Sequence, residues 1–186
     1  MSGSDIHDRW WRLSNLYVIR DKDRNLRKLV LNPAQTLMAK VASDSLSFGS
    51  PIRHMDLKAR QIGDTTFWAA YFLDDTLFTP NTVTFIIAQK QETLGLVWDI
   101  VRLAYEKMPD AVRPKAREDS VRALSFDGFN STIKVSLKVE GSTLHNLLVS
   151  EYALCDPDEI EKTLAAASKS ANIVLETVAN GYNHAR

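Results

Sequence analysis

The sequence predicts an α/β domain whose mostly parallel central sheet is covered by helices on both faces. Short apolar segments typical of buried strands, such as 82–89, alternate with helical segments, such as 91–108. Strands that are joined through helices usually run parallel and are buried on both faces. The length of 186 residues and the 45% hydrophobic share are those of one ordinary globular domain with a sizeable core.

The N-terminal part of the chain predicts a helix, a strand pair and a second helix. Residues 6–15 mix apolar and charged side chains and predict a short helix, and residues 16–31 predict two short strands around the polar turn at 21–25. Asn32 suits a helix N-cap and Pro33 suits the first helical position. A helix is therefore expected to begin there.

The rest of the chain continues the alternation of strands and helices. Residues 127–130, DGFN, have the composition of a hairpin turn. Asp158 and Glu159 would give the last helix an acidic first turn, which suits the helix dipole. A polar loop is expected at 111–120. Strands are predicted at 54–59, 82–89, 121–126, 131–139 and 143–151, a strand with its turn at 171–181, and helices at 65–78, 91–108 and 156–170.

Composition excludes several classes of function. The chain has 23 basic and 23 acidic residues, so it has no net field that would hold nucleic acid by itself. The single cysteine, Cys155, excludes an internal disulfide and a multi-cysteine zinc site, and the four histidines lack zinc-ligand spacing. No apolar run approaches the ~20 residues of a membrane span.

Residues 58–66, KARQIGDTT, come close to the phosphate-loop pattern GxxxxGK[ST]. Gly63 and Thr65 match the pattern, whereas Asp64 stands where the lysine belongs. Such a loop needs backbone N–H groups at a helix N-terminus and a hydroxyl for Mg²⁺, which Gly63, the helix start and Thr65 would supply. The remaining requirement is a cation for the β and γ phosphates.

Lys58 or Arg60 is expected to supply that cation from the other side of the loop, and arginine would bring a planar, permanently charged group. Asp64 would repel a triphosphate, so it must turn outward or the site is weak. Without further context, the loop fits a strand-to-helix turn capped by threonine at least as well.

The segment LLVSEYA, residues 147–153, is an apolar strand that ends in Glu151. Active groups of α/β sheets lie at the carboxyl ends of strands, and Glu151 is a candidate to polarise an attacking water. Ser150 stands where many nucleoside triphosphatases place a metal-binding aspartate. The alternative is a strand that ends in a solvated glutamate.

Two further polar positions are candidates for nucleotide contacts. Gln35, at the start of a helix upstream of the loop, has an amide that can read adenine, although the pattern taken alone favours an exposed first-turn glutamine. Thr177 or Asn180, after the last strand, is a candidate to sense the γ-phosphate, and the alternative is a polar turn.

These motifs occur in one order along the chain: RWWRLSNLYVI, NPAQ, LKARQIGDTT, FIIAQKQE, STLHNLLVSEYAL and VLETVANG. That order resembles the ATPase domain of the large terminase subunit, the DNA-packaging motor protein of tailed bacteriophages. The resemblance implies a P-loop NTPase fold of the additional-strand, catalytic-glutamate type over residues 1–186, with 1–31 as an N-terminal extension. It also implies that the C-terminal nuclease domain of the full subunit is absent from this chain.

The resemblance further implies ATP and Mg²⁺ as cofactors. Arg60 would take the role of the missing lysine, and Glu151 would activate water. Thr65, Ser150 and Glu151 would serve the metal, Gln35 would meet adenine, and Thr177 would belong to the motif that couples hydrolysis to DNA movement. The nucleotide-binding residues expected on this basis are Gln35, Lys58, Arg60, Gln61, Ile62, Gly63, Asp64, Thr65, Thr66 and Thr177.

The function implied by the resemblance is ATP hydrolysis that powers packaging of double-stranded DNA into a procapsid. The expected partners are double-stranded DNA, the portal protein, the small terminase subunit and further copies of the chain in a ring, with no membrane partner. The expected location is the host cytoplasm, docked on the procapsid. Arg113 or Arg117 is a candidate for an arginine supplied to a neighbouring copy. The alternative is a degenerate nucleotide-binding or assembly module without appreciable turnover.

Overall fold

The computed structural model describes residues 5–139 and 143–178. Within them, the α-helices are α1 (Arg9–Asn15), α2 (Pro33–Ser47), α3 (Asp64–Phe78), α4 (Gln91–Glu106) and α5 (Pro157–Ala165). The strands are β1 (Val18–Arg20), β2 (Leu26–Lys28), β3 (Arg53–Lys58), β4 (Val83–Ala88), β5 (Glu118–Asp119), β6 (Ala123–Phe126), β7 (Ser131–Ser136), β8 (Leu144–Ser150) and β9 (Ala167–Val178).

Seven of these strands form one sheet in the order β3-β9-β8-β4-β7-β6-β5, and β1 and β2 form a separate antiparallel hairpin. The pairs from β3 through β7 are parallel. Strand β6 pairs antiparallel with β7, and β5 pairs antiparallel with β6, so β6 alone runs against the other strands of the sheet within the described residues. The prediction of a mostly parallel α/β sheet is confirmed. Strand β9 lies between β3, which leads into the loop at 59–63, and β8, which ends before Glu151.

Helices pack on both faces of the sheet and create two apolar cores. The larger core lies under α3 and α4 and includes the aromatic side chains of Phe67, Trp68 and Phe72. Helix α3 is buried nearly all round because its sequence, DTTFWAAYFLDDTLF, is apolar on every side. The smaller core lies on the opposite face and joins β4 and β8 to Ile160 of α5. This packing fixes the strand ends relative to the start of α3.

The N-terminal segment is part of the larger core rather than a loose appendage. Leu13, Leu16 and Tyr17 are fully buried. The guanidinium of Arg12 donates to both oxygens of Asp74 on α3, at 2.8 and 2.7 Å, and the Tyr17 hydroxyl donates to the same carboxylate at 2.8 Å. These bonds hold α1 against the helix that begins at the phosphate-like loop.

The element boundaries differ most from the sequence prediction at the junction of α5 and β9 and in the loop at 111–120. The helix expected at 156–170 ends at Ala165, and β9 begins at Ala167 because that residue pairs with Leu144 of β8. If the helix continued to residue 170, the backbone of Leu144 in β8 would lack its strand partner. Strand pairing therefore overrides the helix propensity of the alanines. The loop expected at 111–120 contains the short edge strand β5.

No helix within residues 5–139 and 143–178 combines the length and the apolar character needed to cross a bilayer.

Candidate functional site

A cavity of about 600 Å³ opens where β3, β8 and β9 end. Lys58, Ser150 and Val178, the last residues of these three strands, all line it. The carboxyl edge of a parallel sheet is where α/β proteins bind ligands. The cavity gathers many of the side chains singled out from the sequence, together with Thr93 of α4, which the sequence reasoning missed. Its polar lining residues are Lys58, Arg60, Gln61, Thr65, Thr93, Ser150, Glu151 and Thr177.

The loop between β3 and α3 delivers an uncapped helix N-terminus to this cavity. Gln61 and Gly63 adopt positive φ angles of 59° and 84°, which turns the chain sharply into the helix. No side chain within the described residues caps α3, and its first intrahelical bond runs from the Phe67 N–H to the Gly63 carbonyl. The N–H groups of residues 64–66 precede that bond, so they are available to an anion at the positive end of the helix.

Two side chains at the start of α2 form hydrogen bonds with the same loop. Gln35 donates from Nε2 to the Gly63 carbonyl at 2.7 Å, and Asn32 donates from Nδ2 to the Ile62 carbonyl at 2.9 Å. A Cβ atom at position 63 would lie 2.7 Å from Gln35 Nε2, so this close approach requires glycine. The bonds from Asn32 and Gln35 to the loop carbonyls set the curvature of the loop.

The amide of Gln35 is engaged at both ends. Its Oε1 accepts from the Asn32 N–H at 3.1 Å while Asn32 Oδ1 accepts from the Gln35 N–H, which makes a capping box, and the side chain is buried. A second cavity of about 620 Å³ lies beside it, between the β1–β2 hairpin and the loop. Contact between Gln35 and adenine stays a prediction, and it would use the second Nε2 hydrogen or the second lone pair of Oε1, which these bonds do not occupy.

A buried charge cluster lies at the floor of the first cavity. The Lys58 ammonium donates to Thr65 Oγ1 at 2.9 Å and to Glu176 Oε2 at 2.8 Å. The other oxygen of Glu176 accepts from Thr65 at 2.6 Å and from Ser150 at 2.7 Å. Glu176 therefore connects β9 to the loop and to β8. Glu176 was not among the residues predicted from the sequence, although a charge inside the apolar strand IVLETV was a usable signal.

Asp64 does not turn outward, which is one of the two possibilities that the sequence leaves open for it. Its carboxylate is 1% exposed, lines neither cavity and has no hydrogen-bond partner among the described residues, with the Lys58 ammonium 3.6 Å away. Burial, followed by the negative charge of Glu176, raises the pKa of Asp64 to about 7. A neutral Asp64 that points into the protein would not repel a bound phosphate.

Replacing Asp64 by Asn is expected to remove a pH-dependent loss of stability. Because the folded state raises the pKa of Asp64 from 3.8 to about 7, the stability linked to its protonation is complete below the unfolded value and is lost as the pH rises towards 7. We expect the unfolding free energy of Asp64→Asn relative to the wild type to improve by about 2 kcal/mol between pH 5 and pH 8. Urea unfolding at a series of pH values measures this. An Asp64→Asn difference that stays constant with pH would contradict it, and exposed Asp23→Asn is the control.

Glu151 occupies a strained position directly after β8. It has a left-handed backbone with φ 57° and ψ 41°, a conformation that costs roughly 1–3 kcal/mol for a residue other than glycine. The turn brings its carboxylate to the cavity wall, where Oε2 accepts from the Thr93 hydroxyl at 3.3 Å. This position suits a group that orients a water molecule in the cavity.

The remaining candidates occupy different positions. Arg60 is exposed and lines both cavities, and Thr66 lines the second. Thr177 is buried and its Oγ1 accepts from the Ala153 N–H at 3.3 Å, so the end of β9 contacts the turn that follows Glu151. Asn180 lies outside the described residues. Arg113 and Arg117 line neither cavity and pair with Asp110 and Asp127.

The chain matches no protein-family model and no curated protein sequence. Its fold, however, is that of solved phage terminase structures. The HK97 bacteriophage large terminase aligns over 95% of this chain with a TM-score of 0.75 and 14% identity. The Thermus phage P74-26 large terminase ATPase domain aligns over 83% of this chain with a TM-score of 0.62 and 16% identity.

This chain spans 37% of the HK97 chain and 67% of the Thermus phage chain. The likeness confirms the predicted fold class, an α/β fold with a mostly parallel central sheet, which this chain shares with solved terminase ATPase domains.

Proposed function

We propose that this domain binds ATP with Mg²⁺ and hydrolyses it to power the packaging of double-stranded viral DNA, as part of a large terminase subunit. One observation carries the proposal. On a fold shared with terminase ATPase domains, one cavity brings together the uncapped N-terminus of α3, the Lys58 ammonium, the Thr65 hydroxyl and the Glu151 carboxylate.

The phosphates would bind at the start of α3. The N–H groups of residues 64–66 and the positive end of the helix attract an anion, and Lys58 adds a full positive charge from the end of β3. Lys58 thus takes the place of the lysine that Asp64 replaces in the loop. Arg60, which lines the same cavity, is the proposed group that stabilises charge developing on the transferred phosphate.

The residues around Thr65 fit a magnesium ion. The hydroxyls of Thr65 and Ser150 and the carboxylate of Glu176 meet within hydrogen-bond distance, and such oxygens are the ligands that Mg²⁺ prefers. The Lys58 ammonium already occupies a cation position between Thr65 and Glu176. When bound, Mg²⁺ would neutralise phosphate charge.

Glu151 would orient the attacking water, since its carboxylate faces the cavity beside the loop. The adenine would lie in the second cavity, which Arg20, Pro33, Gln35 and Gly63 help to line. Thr177 would couple the presence of the γ-phosphate to the position of the turn after Glu151, because its hydroxyl accepts from the Ala153 N–H.

The wider assignment follows from the proposed family. Residues 1–186 would form the motor domain, with the nuclease activity in a separate C-terminal domain of the subunit. The partners would be double-stranded DNA, the portal protein, the small terminase subunit and neighbouring copies in a ring. Arg113 or Arg117 would act on a neighbouring copy. The domain would work in the host cytoplasm on a docked procapsid.

Nucleotide binding by two matched variants tests which cation serves the phosphates. Lys58→Met is expected to weaken the binding of a fluorescent ATP analogue about 10- to 100-fold, as for the loss of a charge-assisted hydrogen bond. Arg60→Ala is expected to lower nucleotide affinity less than Lys58→Met does and to lower ATP turnover more. Fluorescence titration and phosphate release measure the two quantities, and a larger loss of affinity in Arg60→Ala would contradict the assignment.

A second candidate function is nucleotide binding or assembly without appreciable turnover. The absence of a carboxylate at Ser150 and the position of the Lys58 ammonium on Thr65 favour it. Phosphate release by the wild type separates the two functions. ATP binding without any Mg²⁺-dependent release would support the alternative.

A further inference from the structure

We infer that Glu176, on the additional strand β9, supplies the negative charge of the metal site in place of a residue on β8. The inference rests on the proposed function, because it concerns the metal that accompanies the nucleotide. It differs from the sequence expectation, which places the metal ligands at Thr65, Ser150 and Glu151.

The contacts of Ser150 provide the first argument. Ser150 is the last residue of β8, its side chain is buried, and its hydroxyl donates to Glu176 Oε1 at 2.7 Å. A serine brings no charge to a divalent cation. The carboxylate that accepts this hydrogen bond belongs to Glu176, which is the partner of Ser150 in the pairing of β8 with β9.

The burial of Glu176 provides the second argument. Its side chain has no exposed surface, and a buried carboxylate is retained only where cations or several donors compensate it. Its three donors are Lys58, Thr65 and Ser150, one from each structural element that surrounds the metal position of the proposed site. The carboxylate therefore faces that position.

The balance of charge provides the third argument. The ammonium of Lys58 is the counter-ion of Glu176, at 2.8 Å, and it also lies 3.6 Å from the buried carboxyl group of Asp64, neither oxygen of which has a hydrogen-bond partner among the described residues. If Lys58 turns towards a phosphate, Glu176 loses its counter-ion. A divalent cation at the same place would restore the balance, so binding of nucleotide and metal would be coupled through this residue.

Glu176→Gln tests the inference through metal dependence rather than turnover. The affinity of a fluorescent ATP analogue is measured with Mg²⁺ and with EDTA, for the wild type, for Glu176→Gln and for the exposed control Glu161→Gln. The gain in affinity that Mg²⁺ gives the wild type is expected to fall about 10- to 100-fold in Glu176→Gln. The affinity of Glu176→Gln in EDTA should equal or exceed that of the wild type, because Lys58 no longer has to leave a charged partner. Glu161→Gln should behave as the wild type under both conditions.

A charge-relocation variant provides an independent readout. In Glu176→Gln the carboxylate of Asp64 remains to pair with Lys58, so we expect the variant to fold. The double variant Glu176→Gln with Ser150→Asp moves the carboxylate from β9 to β8 and is expected to restore the Mg²⁺ effect. Electron paramagnetic resonance with Mn²⁺ should show the same loss of bound metal in the single variant and its recovery in the double variant.

Three outcomes have distinct meanings. Loss of the Mg²⁺ effect in Glu176→Gln with recovery in the double variant supports the inference. A wild-type Mg²⁺ effect in folded Glu176→Gln overturns it and leaves the proposed function intact. Failure of the wild type to bind the analogue under either condition overturns the proposed function and the inference together.

Discussion

Replacing Glu151 by Gln is expected to lower Mg²⁺-dependent ATP turnover by about 10²- to 10⁴-fold while nucleotide affinity stays close to that of the wild type. The carboxylate lines the cavity beside the phosphate-like loop, and the described structure gives it one hydroxyl contact, from Thr93 at 3.3 Å. Glutamine keeps that contact and the size of the side chain. It loses the basic oxygen that would accept a proton from water.

The backbone at Glu151 supports this expectation. The residue adopts φ 57°, a left-handed conformation in which glycine would be unstrained, and strain of this kind is retained mainly where a side chain has a task. The unfolding free energy of Glu151→Gln should therefore stay close to that of the wild type, because the substitution keeps the same backbone and removes no buried contact.

Phosphate release under saturating ATP and Mg²⁺ measures the effect, and fluorescence titration measures affinity. Glu92→Gln is the matched control, since Glu92 is exposed in the first turn of α4, next to Thr93, but does not line the cavity. Equal turnover in the wild type and Glu151→Gln would remove Glu151 from the chemistry. A large fall of ATP turnover in Glu92→Gln would show that turnover depends on the start of α4 for reasons other than the carboxylate of Glu151.

The fold was predictable because its signals are local. The alternation of apolar strands with helices depends on neighbouring residues, and so do the cap at Asn32 and the turn at 127–130. The position of the phosphate-like loop followed in the same way, since Gly63 and Thr65 are adjacent to the predicted strand and helix. Each of these features can be read from a window of fewer than about twenty residues.

The charge cluster was not predictable from such windows. Lys58 and Glu176 are 118 positions apart, and they meet only because β9 lies beside β3 with Lys58 paired to Val178 and Asp56 paired to Glu176. Sheet order and register are set by the whole chain. For the same reason the inward direction of Asp64 was missed, because its environment is formed by Lys58 and Glu176.

Gln35 shows how a correct local signal can leave the role open. The sequence predicts Asn32 as the helix N-cap, and the structure adds a capping box in which the Gln35 side chain accepts from the Asn32 N–H. The sequence does not reveal that the same amide also holds the Gly63 carbonyl at 2.7 Å, 28 positions away. A polar residue beside a ligand cavity can thus serve the shape of the loop as well as the ligand.

Replacing Asp74 by Asn is expected to destabilise the domain by about 3–5 kcal/mol, the largest expected effect on stability. Asp74 has no exposed surface, and its two oxygens accept two bonds from Arg12 and one from Tyr17. Arg9 adds an ion pair at 3.2 Å. The substitution would leave the nearly buried Arg12 guanidinium without its counter-ion, and desolvated charges without partners are costly.

Urea unfolding monitored by tryptophan fluorescence measures the loss, and Asp44→Asn is the matched control. Asp44 forms an exposed i,i+4 pair with Lys40 on α2, and such pairs contribute less than about 1 kcal/mol. The double variant Arg12→Met with Asp74→Leu removes both charges and should recover much of the loss, because the penalty arises from the orphaned charge. A double variant as unstable as the sum of the two single changes would instead mean that the bonds themselves, and not charge balance, hold α1 on α3.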